Sequence, residues 1–216
     1  MHGLAKSLRR ATNCAGPALD WSVSHSMKGR DSKSAIVTAA RDLLAERGLS
    51  GMTFDRIARR AECAKGLVNY HFPSRIVLLT ELVSAITDGL WNARIAGLSA
   101  PGTAVVEATW SVLLAERAGS VHLALAGLSS MRSDERIDQT FRLTDESNMR
   151  RWVSETASWM RRSKFRTDSQ DDVARAAAAL LDGFARRLSS HDPDELYPAY
   201  LTAWLGLIAA LSASRD

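Results

Sequence analysis

The sequence is poor in cysteine and has no long apolar run, and both absences narrow the kinds of protein it can be. Its 216 residues include two cysteines, Cys14 and Cys63, which are too few for a disulfide framework and form no CxxC pair. A reducing cytoplasm is therefore the simplest location. No uninterrupted apolar run of about 18 residues supports a membrane span. The basic residues near the start precede no apolar segment, so residues 1–30 do not resemble a secretory signal.

The motifs that catalysis or metal binding would require are also missing. The five histidines, which are His2, His25, His71, His122 and His191, are scattered and fit neither HExxH nor a Cys/His ligand spacing. The sequence contains no GxSxG elbow, Walker loop or GxGxxG turn. We therefore predict that the protein is not an enzyme and that it uses no metal or cofactor.

Charge is present but unevenly distributed. Residues 1–75 contain 13 Lys and Arg against 6 Asp and Glu, a net charge of +7, whereas residues 76–216 contain 15 against 18, a net charge of −3. A basic front and a mildly acidic back are typical of a protein that binds a polyanion at one end. The alternative is a chance clustering of solvated charges. The sequence motifs must distinguish between these two interpretations.

Helical periodicity runs through the chain from residue 31 onward. Ile36, Ala39, Ala40, Leu43 and Leu44 follow the i, i+3, i+4, i+7, i+8 pattern of one amphipathic face. No alternating β pattern occurs, so we predict an all-α fold with about nine helices. Their approximate bounds are 31–47, 53–61, 65–72, 75–97, 105–119, 121–130, 134–165, 169–188 and 193–213.

Capping residues mark several of these boundaries. The predicted N-caps are Asp31 or Ser32, Thr53, Ser74, Ser169 and Asp192, the last followed by Pro193 at the first helical position. Gly48 supplies a left-handed stop for the first helix. Residues 1–30 are polar and show no sustained periodicity, so we interpret them as a flexible basic arm.

Two of the predicted short helices form a helix-turn-helix. The turn 62–64 joins them, and Ile57, Ala58 and Ala61 of the first helix can hold Val68 of the second. The polar outer face that a DNA groove requires, and its flanking phosphate ligands, are supplied by Lys65, Asn69, Tyr70 and His71 and by Arg56, Arg59, Arg60 and Arg75. From spacing alone, an ordinary helical hairpin without DNA binding stays an alternative.

A longer stretch around this hairpin resembles a known family. Residues 33–83 contain AARDLLAERG, then TFDRIARRA, then KGLVNYHFPSR leading directly into a long helix. This order is similar to the N-terminal domain of the tetracycline-repressor (TetR) family. The resemblance implies a helix-turn-helix DNA-binding domain at 31–75 and a ligand-sensing and dimerisation domain at 76–216.

The resemblance also implies roles for individual residues. Thr53 would cap the second helix and touch a phosphate, Asp55 and Arg56 would lie where that helix approaches DNA, and Arg75 would grip the backbone. The recognition helix would contain Lys65, Leu67, Asn69, Tyr70 and His71.

Three positions depart from the family's usual residues. Ala64 stands where Ser or Thr commonly caps the recognition helix, and an alanine there costs about 0.5–2 kcal/mol. Leu67 replaces a common Thr, and Asn69 replaces a common Tyr and can bind adenine through two hydrogen bonds. An alternative for Tyr70 is packing on the hairpin, and one for His71 is a simple phosphate contact.

Six tryptophans suggest a pocket in the middle helices, where the resembled family binds small ligands. The predicted ligand-binding residues are Trp91, Trp110, Leu114, Leu125, Ser129, Phe141, Asn148, Met149 and Trp152. Ordinary core packing is the alternative for each of them.

The last two helices combine small residues with more apolar surface than one monomer can bury. In the resembled family such helices pair across a two-fold axis into a four-helix bundle. We therefore expect a cytoplasmic homodimer that binds a double-stranded operator, most simply as a repressor released by a small, partly hydrophobic effector. A helical small-molecule binding protein without DNA binding and a protein–protein adaptor are the rival functions.

Overall fold

The structure is a computed structural model that describes residues 31–165 and 167–213, and all the regular structure in these ranges is helical. The prediction of an all-α fold with about nine helices is confirmed for this part of the chain. The predicted basic arm, residues 1–30, lies outside the described residues. The helices are α1 Asp31–Gly51, α2 Phe54–Arg60, α3 Lys65–His71, α4 Arg75–Gly97, α5 Ala104–Ala118, α6 Val121–Ser129, α7 Glu135–Arg162, α8 Gln170–Leu188 and α9 Pro193–Ala213.

Gly48 interrupts α1 near its end. The residue has φ 64° and ψ −173°, a combination that is essentially restricted to glycine because a Cβ would clash. The predicted positive φ is therefore present, but ψ differs from that of a left-handed stop. One further turn follows the interruption, so the helix ends at Gly51 rather than at Arg47.

Side-chain caps occur at most of the predicted positions. Thr53 Oγ1 accepts from the Arg56 amide, Ser74 Oγ accepts from the Val77 amide, and an Asp192 carboxylate oxygen accepts from the Asp194 amide at 2.9 Å. The cap predicted at Ser169 is wrong, because that side chain makes no capping bond. The Ser32 hydroxyl hydrogen-bonds His71 Nε2 at 3.0 Å instead of capping α1.

The end of α7 also differs from its prediction. The helix stops at Arg162 rather than at Phe165, because Lys164 adopts a left-handed φ of 60°. The Phe165 amide then donates to the Met160 carbonyl at 2.9 Å, which satisfies one of the last carbonyls of the helix.

The buried apolar residues form one connected core from Ile36 to Leu211. Within it α1, α2 and α3 pack around Ile36, Ile57 and Val68, while α4 runs from this group along α7. Helix α6 packs on α1, and α8 packs on α5, α7 and α9. The division of the chain at residue 75 stays a prediction.

Among the described residues, α4 alone is long and apolar enough to cross a membrane by length and composition. Its apolar residues are those of the core: Leu78, Leu79, Leu82 and Val83 are fully buried against neighbouring helices. Core packing therefore accounts for the composition of this helix.

Candidate nucleic-acid interface and helical cleft

Helices α2 and α3 form a compact hairpin. The turn between them contains Glu62 at φ 51° and closes with a 3.0 Å hydrogen bond from the Cys63 amide to the Ala58 carbonyl. Ile57 of α2 and Val68 of α3 are both fully buried, as predicted for the contact that holds the second helix. This packing fixes the direction in which the opposite face of α3 points.

The opposite face of α3 is exposed and polar. Lys65, Asn69 and Tyr70 all lie on it, and the Tyr70 ring is 79% exposed with only an edge contact to His71. Tyr70 therefore does not pack on the hairpin. Leu67 is half-buried against the core, and His71 is half-buried and bonded to Ser32, so these two present less of their side chains to the outside.

The cations around α3 are held by nearby oxygens. Lys65 Nζ lies 2.9 Å from an Asp55 carboxylate oxygen, and both side chains are 56% exposed. Arg56 Nη1 donates to the Gly51 carbonyl at 3.0 Å, and Arg75 Nη2 donates to the Leu49 carbonyl at 2.6 Å. Because carbonyls carry no net charge, Arg56 and Arg75 are oriented without being neutralised.

Arg60 differs from Arg56 and Arg75 because its partner is a carboxylate. Its guanidinium makes two bonds to Glu46, of 2.6 and 2.9 Å, and these bonds hold the pKa of Glu46 below its ordinary value. Arg59 instead donates to the Asp55 carbonyl at 3.3 Å. Of the predicted phosphate ligands, Arg60 is therefore the least available for an incoming anion.

The start of α3 lacks a side-chain cap. Ala64 adopts the extended conformation of an N-cap, with φ −69° and ψ 142°, but it offers no oxygen to the free amides of the first turn. The seven-residue helix is consequently held by packing of Val68 rather than by its own ends.

A cleft of about 660 Å³ lies between α4, α6, α7 and α8. Four of the predicted ligand-binding residues line it: Trp91 of α4, Leu125 and Ser129 of α6, and Phe141 of α7. The structure thus brings part of the predicted set together at one place.

The other predicted ligand-binding residues lie elsewhere. Trp110 packs against Tyr197 and Tyr200 of α9, with ring centroids 5.2 and 4.7 Å away. Trp152 is buried and donates from Nε1 to the Ala174 carbonyl at 2.7 Å.

Asn148, Leu114 and Met149 also serve packing between helices. Asn148 Nδ2 donates to an Asp88 carboxylate oxygen at 2.7 Å. Leu114 and Met149 are half-buried against the core. For these residues, as for Trp110 and Trp152, the core-packing alternative describes the contacts that the structure shows.

A buried ion network beside the cleft was missed by the sequence reasoning. Arg94 of α4 is fully buried, donates to both carboxylate oxygens of buried Glu116 at 2.8 and 3.1 Å, and reaches Asp182 of α8 at 2.6 Å. His122 Nε2 lies 3.0 Å from the second Glu116 oxygen. The sequence feature that could have revealed this network is a charged residue on an apolar helix face, since Arg94 follows Leu90 and Trp91 at helical spacing.

The network keeps Arg94 and Glu116 charged although both side chains are buried. Burial alone would raise the pKa of Glu116, but the hydrogen bond to His122 and the charge of Arg94 outweigh it and lower the pKa. The same balance raises the pKa of Arg94. Arg94 therefore ties α4, α5 and α8 together as a charged group. Among the described residues, no group of three or more His, Cys, Asp or Glu could hold a metal ion.

Comparison with known proteins gives one family match and several structural relatives. A family model described as bacterial regulatory proteins, tetR family, matches residues 36–82, which run from α1 into α4. A TetR transcription regulator from Haloarcula marismortui is 21% identical and superposes with a TM-score of 0.65, over 84% of this chain and 98% of that one.

Two further solved structures are similar in the same way. GusR from Salmonella enterica is 17% identical, with a TM-score of 0.63 over 87% of this chain and 96% of that one. A TetR-like transcriptional regulator from Rhodococcus sp. is 18% identical, with a TM-score of 0.57 over 84% and 98%. No match was found among curated proteins. At such identities the structural relatives share the fold.

Proposed function

We propose, from the match of residues 36–82 to a model of bacterial regulatory proteins of the tetR family, that the chain is a ligand-responsive transcriptional repressor. It binds a pseudo-palindromic operator as a homodimer and is released by a small, partly hydrophobic effector. Proteins of this family regulate transcription rather than catalyse reactions, which confirms the prediction that the chain is not an enzyme.

The exposed polar face of α3 is the observation that carries the proposal. Lys65, Asn69 and Tyr70 project from a helix whose other side is fixed in the core, which is the arrangement of a recognition helix in a major groove. Arg56 and Arg75 flank it as oriented cations that can bind phosphates. Thr53 is exposed at the N-terminus of α2, where its amides favour a phosphate as well.

Dimerisation through α8 and α9 would supply the second recognition helix. Leu205 of α9 is 43% exposed, and a Cβ added at Gly183 of α8 or Gly206 of α9 would meet no atom within 4 Å. These two helices thus combine exposed apolar surface with room for close helix approach, which favours a two-fold helical bundle. A dimer that reads successive major grooves places its recognition helices about 34–36 Å apart.

The cleft between α4, α6, α7 and α8 is the effector site in this proposal. Its apolar wall of Trp91, Leu125 and Phe141 suits a partly hydrophobic molecule. An effector that fits the cleft better in the DNA-free conformation shifts the population away from the operator complex. The effector is the single small molecule that the proposal requires, and the protein acts in the cytoplasm, where its operator is.

A mobility-shift titration with DNA from around the protein's own gene tests the proposal. The full chain should bind a discrete fragment, with affinity that falls steeply as salt rises because phosphate contacts release counterions. Lys65→Ala should weaken binding at least about tenfold. The matched control Arg161→Ala removes an exposed cation of α7 and should leave affinity unchanged. No discrete binding, or equal losses in the two variants, would contradict the proposal.

A further inference from the structure

The cleft contains carboxylates that face an aromatic wall. Asp145 of α7 and Asp182 of α8 both line it, together with Trp91 and Phe141. Asp182 is engaged by Arg94 at 2.6 Å, whereas Asp145 forms no hydrogen bond or ion pair with any residue of the described chain. Asp145 is solvent-exposed, which places it at the mouth of the cleft.

The two carboxylates disfavour each other's charge. Partial burial and then the charge of Asp182 raise the pKa of Asp145 above its ordinary value, as expected for like charges that share a cavity. The charge of Arg132 acts in the opposite direction but does not offset the rise, so a cation placed beside Asp145 would relieve the remaining repulsion. The carboxylate of Asp145 is therefore the group of the cleft to which a ligand cation could bind.

A second observation points to a missing partner deeper in the cleft. Thr87 of α4 lines the cleft and is 8% exposed, yet its buried hydroxyl has no hydrogen-bond partner. Buried hydroxyls are normally satisfied, because leaving one unpaired costs free energy. Within one helical turn of Trp91, this hydroxyl offers a polar contact beside an aromatic surface.

The arginines of the cleft do not make it an anion site. Arg132 and Arg142 both bond to Asp138, at 2.7 and 2.6 Å, and Arg132 also lies over the Phe141 ring at 5.1 Å. Arg186 lines the cleft one turn after Asp182 on α8, so an anion bound to it would also face the Asp182 charge. A cation at Asp145 would also face Arg132, but Arg132 is already bonded to Asp138.

We infer that the effector is an organic amine, with a protonated nitrogen bound at Asp145 and Asp182 and an aromatic or branched body against Trp91 and Phe141. The inference rests on the proposed function, whose effector site is this same cleft. It also supplies a route for the response, since a ligand cation competes with Arg94 for Asp182. Amine binding thereby loosens the bond that joins α4 to α8.

Calorimetric titration of the full chain with three matched probes tests the inference. The probes are 4-phenylbutylamine, 4-phenylbutanol and 4-phenylbutyrate, which share one body and differ in the charge of the head group. We expect the amine to bind at least about tenfold more tightly than the alcohol, and the acid most weakly. Asp145→Asn should remove this preference by weakening the amine about tenfold while leaving the alcohol unchanged.

Asp145 is the better residue to change because Asp182 also pairs with Arg94. The control variant Glu155→Gln removes an equal charge from an exposed position on the same helix and should bind all three probes as the unaltered protein does. Tighter binding of the acid, an unchanged amine affinity in Asp145→Asn, or binding of none of the probes at millimolar concentration would overturn the inference. The titration contains no DNA, so its failure is separate from a failure of operator binding.

Discussion

At the scale of single residues, the positive charge of the proposed DNA-binding surface is partly neutralised by the protein's own carboxylates. Lys65 is the lysine of α3, yet its ammonium lies 2.9 Å from Asp55 on the preceding helix. Exposed pairs of this kind contribute only about 0–1 kcal/mol to stability. The pair matters more for DNA binding than for stability, because a phosphate must displace Asp55 before it can use the full charge of Lys65.

Replacing Asp55 with asparagine should therefore strengthen DNA binding. Asp55→Asn releases Lys65 and removes an anion from the interface, so we expect affinity to rise about two- to tenfold on all sequences, with a salt slope steeper by about one ion. Fluorescence anisotropy at several salt concentrations measures both quantities. Glu155→Gln, which removes an anion far from α3, serves as the control. A weaker complex in Asp55→Asn would mean that Asp55 itself makes a favourable contact to the DNA.

Residue-level prediction succeeded where exposure follows from helical spacing and failed where it depends on distant partners. Lys65, Asn69 and Tyr70 follow the polar face of a short helix, and the structure exposes all three. Trp110 and Trp152 lie on apolar faces too, but what stands opposite them is set elsewhere in the chain. Tyr200 stands 90 residues from Trp110 and covers its ring, which no local pattern of the sequence reveals.

At the scale of elements, α3 depends on its neighbours because it lacks a cap. A seven-residue helix is too short to be stable alone, and Ala64 leaves its first amides without a side-chain acceptor. Helix α2 has the same length, but Thr53 accepts a hydrogen bond from the Arg56 amide. The hairpin thus contains one capped and one uncapped helix of equal length.

Adding the missing cap should stabilise the protein. Ala64 already has the extended backbone of an N-cap, so Ala64→Ser can place its hydroxyl near the first-turn amides without rearrangement. We expect the free energy of unfolding in urea to rise by about 1 kcal/mol, and Thr53→Ala, the opposite change on α2, to lower it by about 1 kcal/mol. Equal effects of the same sign would show that capping does not limit the hairpin.

The bounds of the elements were predictable to the extent that they are encoded locally. The glycine at 48 and the Asp192–Pro193 start lie at real boundaries, because backbone sterics and capping act within a few residues. The end of α7 was not predictable, because the left-handed turn at Lys164 uses a residue type that rarely adopts this conformation. Phe165 follows this turn, and its ring packs against Trp159 at 5.4 Å.

At the scale of the whole molecule, one buried guanidinium joins helices that are far apart in sequence. Arg94 reaches Glu116 and Asp182, so residues from three helices share one charge. Such a network specifies an arrangement more than it adds stability, since desolvation offsets much of the Coulomb attraction. Breaking it is costly nonetheless, because the carboxylate of Glu116 stays buried.

Removal of the arginine should destabilise the protein strongly. Arg94→Met leaves Glu116 buried without its cation, and we expect a loss of about 3–5 kcal/mol in the free energy of unfolding. The double variant Arg94→Met/Glu116→Leu should recover part of that loss, because both charges are then absent. Urea denaturation of the two variants measures this difference. A double variant less stable than the single one would contradict the explanation by stranded charge.

The same network predicts a dependence of stability on acid. Because the folded pKa of Glu116 lies below its ordinary value of 4.5, its contribution is complete above that pH and is lost as the pH falls through the folded pKa. Below pH 4.5 the unaltered protein should therefore lose stability more steeply than Glu116→Gln, by up to about 1.4 kcal/mol per pH unit. Thermal unfolding between pH 3 and 6 tests this, and parallel curves would contradict it.

The proposed dimer predicts different outcomes for two exposed leucines. Leu205→Glu places a charge on the apolar surface of α9 and should convert the dimer to a monomer, with operator affinity reduced at least about a hundredfold. Leu143→Glu makes the same change at a leucine of α7 that is 58% exposed and should preserve both the dimer and DNA binding. Light scattering after gel filtration distinguishes these results. A monomer in both variants, or in neither, would contradict dimerisation through α9.

Helix α6 places the cleft close to α1, so motion of the protein should not limit how quickly it responds. It is nine residues long; Leu125 and Ser129 line the cleft, and a Cβ at Gly127 would lie 3.6 Å from Leu44 of α1. A structural change in the cleft therefore reaches α1 across the width of one helix, about 10 Å. Packed helices shift within microseconds to milliseconds. With an association rate constant on the order of 10⁶ M⁻¹s⁻¹, micromolar effector fills the site in about a second. Arrival of the molecule, rather than motion of the protein, would then limit the onset of transcription.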